Sequence, residues 1–366
     1  MRVKGYDWST LHSDRRNDPF RFFLAVLSHL YNGGVKTRFL AYRLGILRHR
    51  RLPAFVVSIG NLGVGGTGKT PAVRTLAGWA LDQGYRPAVL SRGYGGSFRG
   101  KVLVVSDGTR IEPAPGASGD EPYLLAQMLS QVPVIVSRAR YRGGLFACER
   151  FSSNFLILDD GFQHLELYRD LDIVLLDASD PFGNGFSLPR GPLREPIDQL
   201  RRADALVLTR SSREKKTDEV LAYLSRNFPE TPVFLGDHVP GHIVFPVRGE
   251  KIDTQDLYDA RVIAFAGIAH PKYFHETLED LGVKVLAFKA FEDHHVYTPR
   301  EIRALLEERE EQGARHILMT GKDWVKVQQT GVISPEMGYV DIQFRILEGA
   351  DAFFHLVRDA FEKKET

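Results

Sequence analysis

The stretch Gly63-Val64-Gly65-Gly66-Thr67-Gly68-Lys69-Thr70 satisfies the pattern G-x-x-x-x-G-K-[ST] at every fixed position. Residues 54–59 (AFVVSI), just upstream, have the composition of a short buried strand, and residues 71–83, downstream, carry a helical pattern that stops at Gly84. Strand, glycine loop and helix in that order are the context the motif requires. Glycines let successive N–H groups curl around an anion, and the helix start adds the positive end of its dipole. In such a loop Lys69 reaches the outer phosphates and the Thr70 hydroxyl ligates magnesium. Pro71 fits the first helical turn, where an N–H would lack an intrahelical partner. The stretch therefore predicts a bound nucleoside triphosphate.

Working outward, short aliphatic runs recur at 87–91, 101–105, 133–137, 155–158, 173–176 and 205–209, several separated by helix-compatible segments. Few polar residues alternate within them, the pattern of a mostly parallel sheet covered on both faces. Near residues 226–256 the texture breaks into short pieces around Pro229, Pro232, Pro240, Gly241 and Pro246, which reads as a hairpin-like connection. A second series follows: strands at 262–266, 283–288 and 316–319, helices at 271–281 and 299–312, and a last helix at 351–362 with an apolar stripe. The expected fold class is α/β: a P-loop NTPase-type, mostly parallel sheet covered by helices, with a second, smaller α/β domain. The expected division is an N-terminal P-loop domain over 1–228, a linker over 229–258 and a smaller C-terminal α/β domain over 259–366, whose last helix could pack on either domain.

With 366 residues and 43% hydrophobic content, the chain has enough material for two cores. A formal charge of +2 gives no global attraction for a polyanion, so a nucleic-acid partner is not expected. One cysteine, Cys148, excludes an internal disulfide and a clustered thiolate site. No signal-peptide pattern and no apolar run of the ~20 residues that cross a bilayer are evident, so a cytoplasmic protein with at most peripheral membrane contact is expected. No obligate protein partner is evident either.

Several groups could carry chemistry. Residues 155–160 (FLILDD) form an apolar run that delivers Asp159 and Asp160 at its end, where a nucleotide enzyme holds magnesium. Asp177 ends a similar run, but the tail Gly161-Phe162-Gln163-His164 favours Asp159 and Asp160; Asp177 reads better as a turn carboxylate. Asp120, in Ser118-Gly119-Asp120-Glu121-Pro122, opens a helix, and capping is its cheaper reading in isolation. Residues 291–295 (FEDHH) offer His294 and His295 to a carboxylate partner, or simply to solvent. Arginines at 92, 138, 140 and 142 suit phosphate recognition or ordinary surface charge equally well. Phe20, Phe23, Leu24, Leu27 and Tyr31 stand at helical spacing ahead of Lys36, Arg38, Arg43, Arg48, Arg50 and Arg51. That is the layout of a helix lying on an anionic membrane, or of one packed on its own domain.

Taken together and in order, these motifs resemble one family, the tetraacyldisaccharide 4'-kinases of lipid A biosynthesis. The resemblance runs nearly end to end, through SIGNLGVGGTGKTP (58–71), SRGYG (91–95), GDEP (119–122), DDGFQH (159–164), GPLREP (191–196), AGI (266–268), DHH (293–295) and GKDWVK (321–326). It implies transfer of the ATP γ-phosphoryl group to the 4'-hydroxyl of a glucosamine disaccharide lipid at the cytoplasmic face of the inner membrane, with ATP and Mg2+ as cofactors. By the same resemblance residues 63–70 hold the triphosphate, Thr70, Asp160 and Glu195 hold the metal, and Asp159 lines the reaction centre. Asp120 takes the proton from the attacking hydroxyl, with His294 rather than His295 relaying for it. Tyr94, Arg140, Arg142, Gln163 and His164 contact substrate or phosphates. Because Asp120 and His294 fall in different expected domains, the cleft is expected to close on ATP before reaction.

Two other readings stand beside this one. A membrane-docked, nucleotide-switched P-loop ATPase would phosphorylate nothing; its guanine variety is disfavoured because Thr320-Gly321-Lys322-Asp323 only distantly echoes N-K-x-D. A kinase for a soluble sugar would have no use for the apolar face at 20–31.

Overall fold

The computed structural model describes residues 18–112, 115–212, 214 and 216–365, together with two short paired strands, Arg2–Val3 and Tyr6–Asp7. The described chain divides into two compact units, each discontinuous in sequence. One comprises 1–92, 139–237 and 345–366; the other comprises 93–138 and 238–344.

The first unit is built on an all-parallel sheet. In spatial order its strands are the start of Val233–Phe245, then Ala205–Thr209, Leu171–Asp177, Phe55–Asn61, Phe155–Asp159 and Pro87–Ser91. All seven residues of the central strand Phe55–Asn61 are buried, as its apolar run requires when helices cover both faces. Val174, Leu176, Leu206 and Leu208 pack with Leu62, Phe162, Leu224 and Phe228 on one side. On the helix Lys69–Asp82 and the C-terminal helix Ala350–Glu365, aromatic rings join the sheet: Phe361 lies 5.6 Å from Phe55 and 4.2 Å from Tyr85, and Phe354 stacks on Trp79 at 5.1 Å.

In the second unit parallel strands follow in the order Lys284–Ala290, Arg261–Ala266, His316–Thr320 and the start of Met337–Glu348. Along Arg261–Ala266 the side chains alternate between two cores. Val262, Ala264 and Ala266 join Phe274, Leu278 and Val340, whereas Ile263 and Phe265 join Ile302, Leu305, Trp324 and Met337. That period of two is what a strand covered on both faces dictates.

Two expectations are corrected here. Residues 93–138, expected within the first domain, cluster with 238–344: the helix Asp120–Met128 packs against the helix Gly321–Val327 so closely that a Cβ on Gly321 would lie 3.2 Å from Leu124. Chain proximity had suggested the grouping; long-range packing decides it. The linker region also holds a hairpin, Val233–Phe245 against Glu250–Asp253, but Pro240 and Gly241 do not interrupt its first strand. Proline fits extended backbone, and at Gly241 the missing Cβ leaves room for Gln343, whose Nε2 would otherwise lie 2.5 Å from it.

Candidate functional site

In the first unit the strand Phe55–Asn61 ends, residues 62–68 turn, and the helix Lys69–Asp82 begins with Gly68 as its N-cap at φ 77°. Gly65 adopts φ 132°, and a Cβ built on it would meet nothing within 4 Å, so that side of the loop stands open. Positive φ at both positions favours glycine. Thr70 is buried in the first helical turn. Thr67 Oγ1, Ser58 Oγ and both polar atoms of the Asn61 amide are buried with no hydrogen-bond partner among the described residues. Such orphan groups beside an open glycine loop suit a ligand of many oxygens.

The acidic strand Phe155–Asp159 runs parallel to Phe55–Asn61, with Asp159 opposite Ile59. The turn after it closes tightly because Gly60 lacks a side chain: a Cβ there would fall 2.5 Å from Phe162 Cβ. Asp160 occupies φ 57°, a left-handed conformation that Asp tolerates better than most residues. Its carboxylate receives Lys69 Nζ at 3.4 Å and Arg194 Nη1 at 2.7 Å. Burial would raise its pKa, but the Lys69 and Arg194 cations overcome that and hold it at about 2. Arg194 reaches this point because 191–196 is laced to the loop, Val64 N–H donating to Pro192 O at 2.8 Å and Arg194 N–H to Leu62 O at 2.9 Å.

The other predicted residues of this unit divide. Asp159 accepts from Ser91 Oγ at 3.1 Å through its carboxylate and from Arg140 Nη2 at 3.0 Å through its carbonyl. Arg140 is only 3% exposed, and burial lowers its pKa to about 10 against the pull of Asp159 and Asp160. It braces the acidic strand from beneath; Arg142, two residues on, is exposed. Glu195 is committed to the Arg202 guanidinium, which lies over the rings of Phe39 and Phe162. Burial raises the Glu195 pKa and Arg202 pulls it back. Gln163 Nε2 donates to the Asn61 carbonyl at 3.0 Å, and His164 is kept neutral, its pKa lowered to about 4 by burial and by Arg140 and Arg169. Asp177 is a turn carboxylate, bonded by Ser179 N–H at 3.0 Å and paired with Arg210, whose other nitrogen reaches Gly66 O at 3.3 Å.

Among the described residues, no group of three or more His, Cys, Asp or Glu could hold a metal unaided. The hydroxyl of Thr70 with the carboxylate of Asp160 is instead the sparse oxygen set that suits Mg2+, which completes its shell with phosphate and water.

In the second unit the helix Asp120–Met128 starts from Gly119 at φ 90°, where a Cβ would strike Tyr94 O at 2.3 Å. Asp120 is the first helical residue, and no side chain caps this helix, so the capping reading does not hold. Its Oδ2 faces His294 Nδ1 at 3.8 Å and Lys326 Nζ at 3.7 Å. The Asp120 carboxylate raises the imidazole pKa of His294, burial opposes, and Asp293 adds to the rise. His294 sits at φ 60°, and the exposed ring of Tyr94 lies 6.1 Å from its own. His295 turns elsewhere, to Glu301 Oε1 at 3.1 Å and to the rings of Phe291 and Tyr297. Asp120 and His294 thus belong to one unit and already face each other, which corrects the expectation that they fall in different domains.

Comparison with known proteins accords with this arrangement. A family model described as tetraacyldisaccharide-1-P 4'-kinase (LpxK) matches residues 20–362. The chain belongs to the tetraacyldisaccharide 4'-kinase family. It is 40% identical over 361 residues to the tetraacyldisaccharide 4'-kinase of Syntrophus aciditrophicus, covering 96% of each chain. It is 43% identical over 304 residues to that of Desulfotalea psychrophila, covering 82% of this chain and 86% of that one. Among solved structures it is similar to the LpxK of Aquifex aeolicus, crystallised in complex with ATP, with TM-score 0.77 and 35% identity over 93% of this chain and 99% of that one. In this member of the kinase family, sequence reasoning had assigned no role to Arg194 or Lys326, although both lie inside quoted motifs, GPLREP and GKDWVK. Nothing local marks either as a partner of Asp160 or Asp120; only the packing does.

Proposed function

We propose that this protein is a lipid A 4'-kinase, which transfers the γ-phosphoryl group of ATP, with Mg2+, to the 4'-hydroxyl of a tetraacylated glucosamine disaccharide 1-phosphate. The observation that carries the chemistry is the Lys69–Asp160–Arg194 cluster at the mouth of the glycine loop. Lys69 is nearly buried, and Asp160 faces its ammonium in the way a phosphate would. Phosphoryl transfer asks little covalent chemistry of a protein; positioning and charge neutralisation do most of the work.

In this reading residues 63–70 hold the phosphates, and Thr70 with Asp160 would hold Mg2+, which would supply charge neutralisation of the phosphates. Glu195, paired with Arg202, would be a further ligand of that metal, and Asp159 lines the reaction centre. Asp120 accepts the proton of the acceptor hydroxyl, and His294 beside it passes that proton on. Tyr94 offers an exposed ring to a sugar face, and Arg142, Gln163 and His164 meet substrate or phosphates; Arg140 acts through Asp159.

The acceptor is a lipid, and the N-terminal helix Pro19–Arg43 supports contact with its membrane. No helix among the described residues is long and apolar enough to span a bilayer. Leu24 faces inward, whereas Phe22 (69% exposed), Phe23, Val26 and Leu30 (69%) face out, followed by Lys36, Arg38 and Arg43. The outward face therefore keeps Phe23 and Tyr31 of the stripe read from spacing and adds Phe22, Val26 and Leu30, while Leu24 turns inward. It suits peripheral binding to the anionic cytoplasmic face of the inner membrane.

The test is transfer of label from [γ-32P]ATP to the purified disaccharide 1-phosphate, resolved by thin-layer chromatography. A labelled bisphosphate product is expected. ATP hydrolysis that this acceptor neither accelerates nor captures would instead indicate an uncoupled ATPase.

A further inference from the structure

The helix Gly321–Val327 presents two lysines one turn apart to the start of the helix Asp120–Met128. Lys322 pairs with Glu121, and Lys326 Nζ lies 3.7 Å from Asp120 Oδ2. The first pair lies toward solvent. The second does not: Lys326 is only 8% exposed, an unusual place for an ammonium. The short helix carrying it is pinned at its start by Asp323, fully buried, which accepts from Thr320 Oγ1 at 2.6 Å, Tyr297 OH at 2.9 Å and Gly267 N–H at 3.1 Å. Lys326 is thus delivered to Asp120 by a rigid element, while His294 approaches the same oxygen from a loop.

We infer that Lys326 is a positioning residue for the phosphoryl transfer: its buried ammonium fixes the Asp120 carboxylate and keeps it ionised, so that Asp120 is free to take the acceptor proton whatever the charge on His294. The inference rests on the proposed kinase reaction and deepens it. A carboxylate flanked by His294 alone would lose its cation each time the imidazole gave up its proton. The Lys326 ammonium is a second cation beside Asp120, independent of the proton on the imidazole. Lys326 and His294 face this carboxylate directly; around them Lys322 is paired with Glu121, Asp293 lies against His294, and His295 is held away by Glu301.

The test uses Lys326→Met, which keeps length and burial without charge, and Lys326→Arg, which restores charge. In Lys326→Met, kcat is expected to fall at least tenfold with little change in KM for ATP. The acidic limb of its kcat–pH profile is expected to move to higher pH, because Asp120 then protonates more easily. Lys326→Arg is expected to return the limb toward its original position. A second readout needs no substrate: NMR titration of His294 is expected to give a higher midpoint in Lys326→Met than in the parent, because a repelling neighbour is gone. A His294 midpoint and an acidic limb both unchanged in Lys326→Met would overturn the inference, as would a lower kcat with the limb unmoved. Failure of the parent enzyme to phosphorylate the disaccharide would count against the kinase reading, while the His294 titration would still decide the Lys326–Asp120–His294 coupling.

Discussion

At Asp160 one carboxylate answers two cations, and its charge state decides how both behave. Lys69 and Arg194 hold its pKa at about 2 despite burial, so it is ionised wherever the enzyme works. The depressed value contributes stability that is complete above the usual carboxylate range and lost as pH falls toward 2. Asp160→Asn leaves Lys69 without its counter-ion and removes a proposed metal ligand; kcat is expected to fall by about 10² to 10³, read in steady-state assays across Mg2+ concentrations. Asp120→Asn removes the proposed base, and a loss of about 10² to 10⁴ in kcat with nearly unchanged ATP binding is expected. At His294 the sign reverses. Its pKa is raised by Asp120, so the interaction stabilises the fold fully below the ordinary histidine value and fades as pH rises through the raised one. The melting-temperature gap between the parent and His294→Gln should accordingly be wider at pH 6 than at pH 9. Equal gaps at the two pH values would mean that the Asp120–His294 pair contributes nothing to the fold.

At the scale of elements, function depends on how closely two turns approach their neighbours. The turn after Phe155–Asp159 can place Asp160 beside Lys69 only because Gly60 admits Phe162, whose backbone N would lie 2.9 Å from any Cβ there. Gly60→Ala is expected to cost about 1 to 3 kcal/mol by overpacking, and to weaken nucleotide binding as the turn is pushed off the loop. Denaturant melts and ATP titrations of the variant read the two effects separately. The N-terminal helix is simpler. Replacing Phe22, Val26 and Leu30 together with Ser removes exposed apolar area and no core contact, so the melting point should hold while sedimentation with anionic vesicles drops. Vesicle binding equal to the parent's would count against membrane docking through this face.

Across the whole molecule, the last helix closes the first unit. Phe361 sits between Phe55, Tyr85 and Phe155, and Lys364 lies 3.4 Å from Asp170, so a segment at the end of the chain completes the core around the phosphate-loop strand. Phe361→Ala should destabilise by about 3 to 5 kcal/mol in chemical denaturation, although the residue lies nearly 300 positions from the loop it supports.

Much of the fold was legible in local sequence, because strand and helix patterns are written in residues a few positions apart. The glycine loop, the apolar run ending in Asp159 and Asp160, and the parallel series of the second half each follow from periodicity and turn chemistry alone. The phosphate loop with its lysine, and the two carboxylates that end the neighbouring apolar run, were legible at that level. Tertiary structure alone decided that 93–138 groups with the second half and that Arg194 and Lys326 complete the charge around Asp160 and Asp120. The reason is physical: an ion pair across the fold forms where packing places its partners, and neither side chain carries a mark of that placement in the residues around it.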